Sequence, residues 1–272
     1  MWNFYDELCT GIPSGIRIDD CIINEQGIMV HANGNIGLAR TMGAEGIDLA
    51  AAGKAMVGTF LRDAANHMKW NNLLQASIGV AAMNAYYNCA GRILPVNTRD
   101  AFQGQLDGTK VAIIGEMPAL ESRLRGSCDL TVLPLPESSE LGAEYDAALS
   151  GDFVFISGDA LINKTLPALL SKVGEQTKVS LAGVSVPAAP VLFAFGNPIH
   201  NLSGVFARFD SVRSQPTAPF SIDPVKPEYL HESPEVTRYE NSPYKATKFN
   251  SAFNPWCGKN YDPTVWSPIF KG

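Results

Sequence analysis

Basic charge is scarce in this sequence. Lys and Arg number 21 against 27 Asp and Glu, for a net charge of −6 over 272 residues. The basic residues are scattered, whereas a nucleic-acid binder needs a clustered basic footprint to displace phosphate counterions, so no nucleic-acid partner is expected. No run of 18 apolar residues occurs, so no membrane-spanning helix is expected. The stretch from Met1 to Glu7 is acidic and lacks a basic region followed by an apolar one, so no signal peptide is expected. Histidine is rare, and His31, His67, His200 and His231 lie far apart. The five cysteines, Cys9, Cys21, Cys89, Cys128 and Cys257, are odd in number and widely spaced, which fits reduced thiols in the cytoplasm. With no C-x-x-C and no H-x-x-x-H, any metal site would need distant residues to converge. The three-glycine dinucleotide fingerprint, the P-loop and the G-x-S-x-G elbow are also missing. Their absence argues against NAD, FAD and nucleoside triphosphates as ligands and against an α/β-hydrolase.

What is present is ample core material. Hydrophobic residues make up 46% and mean hydropathy is near zero, enough to bury two domains' worth of interior. Proline is skewed: nine of 18 fall after residue 215, along with ten of the 25 aromatics. Residues 215–272 therefore read as an extended aromatic and proline-rich arm, whose rings need grooves on the chain itself or on a partner. Residues 16–40 alternate like strands, with Asn33-Gly34 as a hairpin signal, and predict an antiparallel meander of two or three strands. Residues 48–90 change to helical period. The stretch 73–90 is apolar on nearly every side except for Ser77, Asn84 and Asn88, which share one face. That polar face either makes hydrogen bonds within the fold or forms the wall of a ligand cleft.

From residue 109 to 214, short apolar runs at 110–114, 130–133, 153–156, 179–182 and 205–207 alternate with helical segments at 118–125, 142–149, 165–173 and 187–195. Unbroken apolar strands, each followed by a helix, predict a Rossmann-like parallel sheet covered on both faces. In such sheets ligands bind beyond the carboxyl ends of the strands. Those ends hold Gly115, Glu116 and Met117, then Ser157-Gly158-Asp159 through Asn163, then Gly183-Val184-Ser185. Glu116 is the candidate catalytic group, as a general base or a metal ligand. Gly158, Asp159 and Asn163 either contact a polar ligand or simply make the turn, and Thr165 is placed to cap the helix that follows.

Several of these stretches resemble a known family. They are Val111-Ala112-Ile113-Ile114-Gly115-Glu116-Met117-Pro118, Ile156-Ser157-Gly158-Asp159-Ala160-Leu161-Ile162-Asn163-Lys164-Thr165-Leu166, Gly183-Val184-Ser185 with Pro187, and Asn84-Ala85 in its buried helix. Together they resemble the putative heavy-metal chelation family over residues 10–213. The resemblance implies an enolase N-terminal-like α+β domain (1–104) followed by a Rossmann-like domain (105–214), an α/β protein with a site in the cleft between the two. It implies a ligand that is a small molecule or a metal chelate, with a transition metal as the candidate cofactor and a role in metal or metallocofactor metabolism. Glu116 is then the catalytic candidate, and Asn84, Asn88, Gly115, Gly158, Asp159, Asn163 and Ser185 are the ligand-binding candidates. Two positions depart from the family pattern: Leu133-Pro134-Leu135-Pro136 lacks an acidic residue, and Val184 stands where proline is common. The arm lies outside the pattern. It supports the alternative, an assembly factor that clamps a partner protein or a second subunit through residues 216–272.

Overall fold

The computed structural model describes residues 2–88, 104–193, 199–208 and 218–222. The expectations for Cys89, Cys257, His231 and most of the arm lie outside the described residues. A first helix, α1 (Trp2–Thr10), precedes the meander of β1 (Ile18–Ile23), β2 (Ile28–Ala32) and β3 (Asn35–Ala39). Asn24 Oδ1 accepts from the backbone N–H groups of Gln26 and Gly27 and closes the first turn. Asn33 and Gly34, both at positive φ, make the second, as a two-residue hairpin requires.

Three helices follow: α2 (Leu49–Met56), α3 (Leu61–Asn66) and α4 (Leu73–Tyr87). Asp48 caps α2 and Asn72 caps α4, each side chain accepting from a backbone N–H of the first turn. Helix α4 is buried on every face from Ala76 onward. It lies so close to β3 that a Cβ on Gly37 would stand 2.0 Å from both Ala81 O and Ala85 N. Only a residue without a side chain fits there.

The second half alternates β4 (Lys110–Ile114), α5 (Pro118–Leu124), β5 (Asp129–Leu133), α6 (Ala143–Ala148), β6 (Phe153–Ser157), α7 (Leu166–Ser171), β7 (Lys178–Ala182) and β8 (Ile199–Arg208). Its strands are parallel in the order β5-β4-β6-β7-β8. The far end of β8 pairs antiparallel with β3, at Asn35 with Arg208 and Ile36 with Ala207. The meander and the parallel strands are thereby one nine-stranded sheet. The ninth strand, β9 (Ala218–Ile222), is the start of the expected arm and pairs antiparallel with β8.

Four local expectations differ. Helix α1 was not anticipated, although Tyr5, Leu8, Cys9 and Ile12 are all buried at helical spacing. The helix expected at 187–195 is a short 3-10 turn, Pro190–Phe193, since Pro187 and Pro190 remove backbone donors that an α-helix needs. β5 is an edge strand facing solvent, with Val132 exposed, and is not a covered strand. Thr165 does not cap α7 with its side chain; its hydroxyl donates to Asn163 Oδ1 instead. Cys9 and Cys21 are free thiols, and burial pushes each up to about 12, which leaves them unreactive.

The β3–α4 contact generates a stability prediction. Gly37→Ala forces strand and helix backbones apart and is expected to cost about 3 kcal/mol in urea unfolding. Gly15→Ala, which meets nothing within 4 Å, is expected to change stability by no more than about 0.5 kcal/mol.

Candidate functional site

The chain leaves β4 toward β5 on one side, then crosses back to place β6 on the other side of β4. At such a reversal open α/β sheets hold their ligands beyond the carboxyl ends of the strands, here β4 and β6. The residues leaving those two strands are Gly115-Glu116 and Gly158-Asp159. A third chain segment enters the same place, from the end of β3.

That segment supplies Arg40, which the sequence reading did not single out. Its Nη1 donates to Glu116 Oε2 at 2.8 Å and stands 3.5 Å from Asp159 Oδ2. Its backbone N–H donates to Ser185 Oγ at 3.1 Å. Ser185 in turn donates from Oγ to Asp159 Oδ1 at 2.5 Å, and Ser157 Oγ accepts from the Asp159 backbone N–H. Asp159 is buried in the short 3-10 helix Gly158–Leu161, while Glu116 is 75% exposed. Burial pushes the Asp159 carboxyl above its ordinary range, against the opposing pull of the Ser185 hydrogen bond and the Arg40 charge. Burial also works against the Arg40 charge, but the hydrogen bond it donates to Glu116 and the field of Asp159 more than offset it and hold the guanidinium above its usual value.

Around this cluster the other predicted residues take definite places. Asn84 Nδ2 donates to Leu38 O at 2.6 Å and to Val184 O at 3.4 Å; its buried Oδ1 has no partner among the described residues. Asn88 Nδ2 donates to Val186 O and Val205 O, and its Oδ1 accepts from the Ala188 N–H at 2.7 Å. Ser77 Oγ accepts from the Met42 N–H. The polar face of α4 therefore holds backbone from both halves of the molecule. Asn163 stands apart from the Arg40 cluster; it donates to Pro136 O and ties the β6 exit loop to the β5 exit. Gly115 and Gly158 are close-packing positions: a Cβ on the first would meet Ser157 Cβ at 2.5 Å, and on the second Val186 Cγ2 at 2.7 Å.

Among the described residues no group of three or more His, Cys, Asp or Glu side chains could hold a metal ion. The two carboxylates of this cluster are bridged by a guanidinium that stays protonated. A bare cation would meet that positive charge between its only two acidic ligands. The described donor set does not fit a naked metal ion. No described helix is long and apolar enough to cross a membrane.

Arg40 was hidden because its one sequence signal is position: a lone arginine just after a short apolar strand. Only the β3–β8 pairing shows that this strand ends beside the parallel sheet.

Two predictions follow from these contacts. Asn88→Ala leaves three backbone groups without their partner, those of buried Val186 and Ala188 and of half-buried Val205, and is expected to cost at least about 2 kcal/mol in chemical unfolding. Asp159 has a folded pKa above its ordinary 3.8, so its ionised form favours the unfolded chain. The stability it supports is complete below that value and is lost as pH rises through the folded pKa. Asp159→Asn copies the protonated form. It is expected to melt above the unaltered protein at pH 7, with the gap closing below about pH 4; a lower melting temperature at pH 7 would contradict this.

Comparison with known proteins bears on the same two halves. One family model, described as putative heavy-metal chelation, matches residues 5–87, and a second with the same description matches residues 99–209. Among solved structures, a protein of unknown function from the second family, from Desulfitobacterium hafniense, is 28% identical with a TM-score of 0.69. That match covers 82% of this chain and 98% of the other. Another protein of unknown function from that family, from Pyrococcus horikoshii, is 16% identical with a TM-score of 0.61, over 81% of this chain and 98% of the other, and shows the shared fold. No curated protein matches. Between them the two models span both halves of the described sheet, and the chain belongs to the family described as putative heavy-metal chelation.

Proposed function

We propose that the chain binds a small polar molecule or a metal chelate in the crevice between residues 1–104 and residues 105–214, as a handling protein in metal or metallocofactor metabolism. The observation that carries this reading is Arg40, which brings a charge from one half to Asp159 and Glu116 of the other, at the reversal point of the strand order. Asp159 is an expensive residue to keep there, since burial disfavours its charge. A buried carboxylate whose charge is disfavoured by burial is better accounted for by a ligand than by stability.

In this reading Asp159 and Ser185 form the floor of the site, and Gly115 and Gly158 let strand ends and loops close beneath it. Asn84 and Asn88 hold the 184–188 segment, and Asn163 holds the neighbouring loop. Glu116, exposed and held by Arg40, is the group placed to shift a proton on a bound ligand. The family's metal enters as cargo already wrapped by a chelator, because the donor set described above does not suit a naked ion.

The test is native mass spectrometry of the full chain as purified, with elemental analysis and identification of small molecules released by acid. A carried molecule or chelate is expected, and its occupancy is expected to fall at least about tenfold in Asp159→Asn, although that variant is the more stable one. Unchanged occupancy in Asp159→Asn, or no carried or captured molecule in the unaltered protein, would remove the reading.

A further inference from the structure

We infer that the ligand of the crevice bears a carboxylate, and that Arg40 receives it through the Nε–Nη2 edge of its guanidinium. This rests on the crevice reading above and adds the chemical class of the ligand.

The argument begins with which donors of Arg40 are already engaged. Its side-chain contacts with Glu116 and Asp159 both run through Nη1, and its backbone N–H is tied to Ser185. Among the described residues Nε and Nη2 have no partner. These two N–H groups point the same way and form the side-on fork that pairs with two oxygens of one anion. The Arg40 side chain is 41% exposed while that of Asp159 is almost wholly covered. The guanidinium is thus anchored through Nη1, which leaves the Nε–Nη2 edge to a ligand. A group oriented before its ligand arrives loses little freedom on binding.

Charge selects among anions. With Glu116 and Asp159 ionised, the three side chains carry one net negative charge. A dianionic phosphate placed on the fork would stand beside two carboxylates. A single carboxylate brings half that charge, lies flat and matches the fork's two donors. The same argument accounts for the misfit with a naked cation: Arg40 repels the ion but attracts an acidic arm of the molecule that carries it.

The test is calorimetry on the full chain with acetate, malonate, citrate, the uncharged trimethyl ester of citrate, and inorganic phosphate. At least one carboxylate is expected to bind, with phosphate weaker and the ester at least about a hundredfold weaker than citrate. Arg40→Lys keeps the charge but loses the fork, and is expected to weaken carboxylate binding at least about tenfold. Its melting temperature without ligand should stay close to that of the unaltered protein, because lysine keeps a positive charge beside Asp159 and the exposed pair with Glu116 adds little. The inference falls if no carboxylate binds, if the ester matches citrate, if phosphate binds most tightly, or if Arg40→Lys binds as well as arginine does. A carried molecule that depends on Asp159 but has no acid group would overturn this inference and leave the crevice reading standing. Arg40-dependent carboxylate binding alongside a carried molecule indifferent to Asp159→Asn would do the reverse.

Discussion

The arrangement of the Arg40, Glu116, Asp159 and Ser185 cluster depends on one helix face. Asn84 and Asn88 emerge from a helix that is otherwise apolar and fully buried, and they bind backbone at Leu38, Val184, Val186, Ala188 and Val205. Those five positions belong to three separate stretches of chain. Each buried carbonyl or N–H would otherwise cost about 1–3 kcal/mol left unpaired. The amide groups of α4 therefore decide where β3 ends and where the segment before the 3-10 turn runs. Arg40 is two residues beyond Leu38, and Ser185 lies between Val184 and Val186. The charged cluster inherits its geometry from these neutral hydrogen bonds.

Magnitudes support that order of cause. The Arg40–Glu116 contact is exposed on both sides, and such pairs contribute about 0–1 kcal/mol. Burial disfavours the ionised form of Asp159, against the pull of Ser185 and Arg40. Neither can hold two halves of a protein together. What holds them is the set of amide bonds from the polar face of α4 to backbone at 184–188 and 205, and the β3–β8 pairing. The ion pairs are positioned by the fold and leave little imprint on its stability, so their residues are open to service in binding.

How far this was legible in the sequence varied with the range of the interaction. β4, β6 and β7 were readable because each is a continuous apolar run, the mark of a strand covered on both faces. The meander was readable from alternation and from Asn33-Gly34. α1 was not legible although its buried residues keep helical spacing, because Asp6 and Glu7 break them up and no continuous apolar run marks the helix. The length of β8 was missed because Asn201 and Ser203 interrupt its apolar run, and both are buried. Glu116, Asp159 and Ser185 could be listed as strand-end residues, but nothing local shows that Arg40 meets them. Residues 40 and 159 are brought together by strand order, and strand order is a long-range outcome.

β8 has a consequence in time as well as in space. It runs parallel to β7 at its start and antiparallel to β3 at its end, so Asn35 and Ile36 acquire those partners only from Ala207 and Arg208. During synthesis the meander emerges first and must wait for some 170 further residues before that edge of the sheet is closed. Pairings of such long sequence separation form slowly and leave a bare strand edge open to foreign chains in the interval. The nascent protein should therefore be most prone to aggregation, and most dependent on chaperones, just before residue 208 leaves the ribosome.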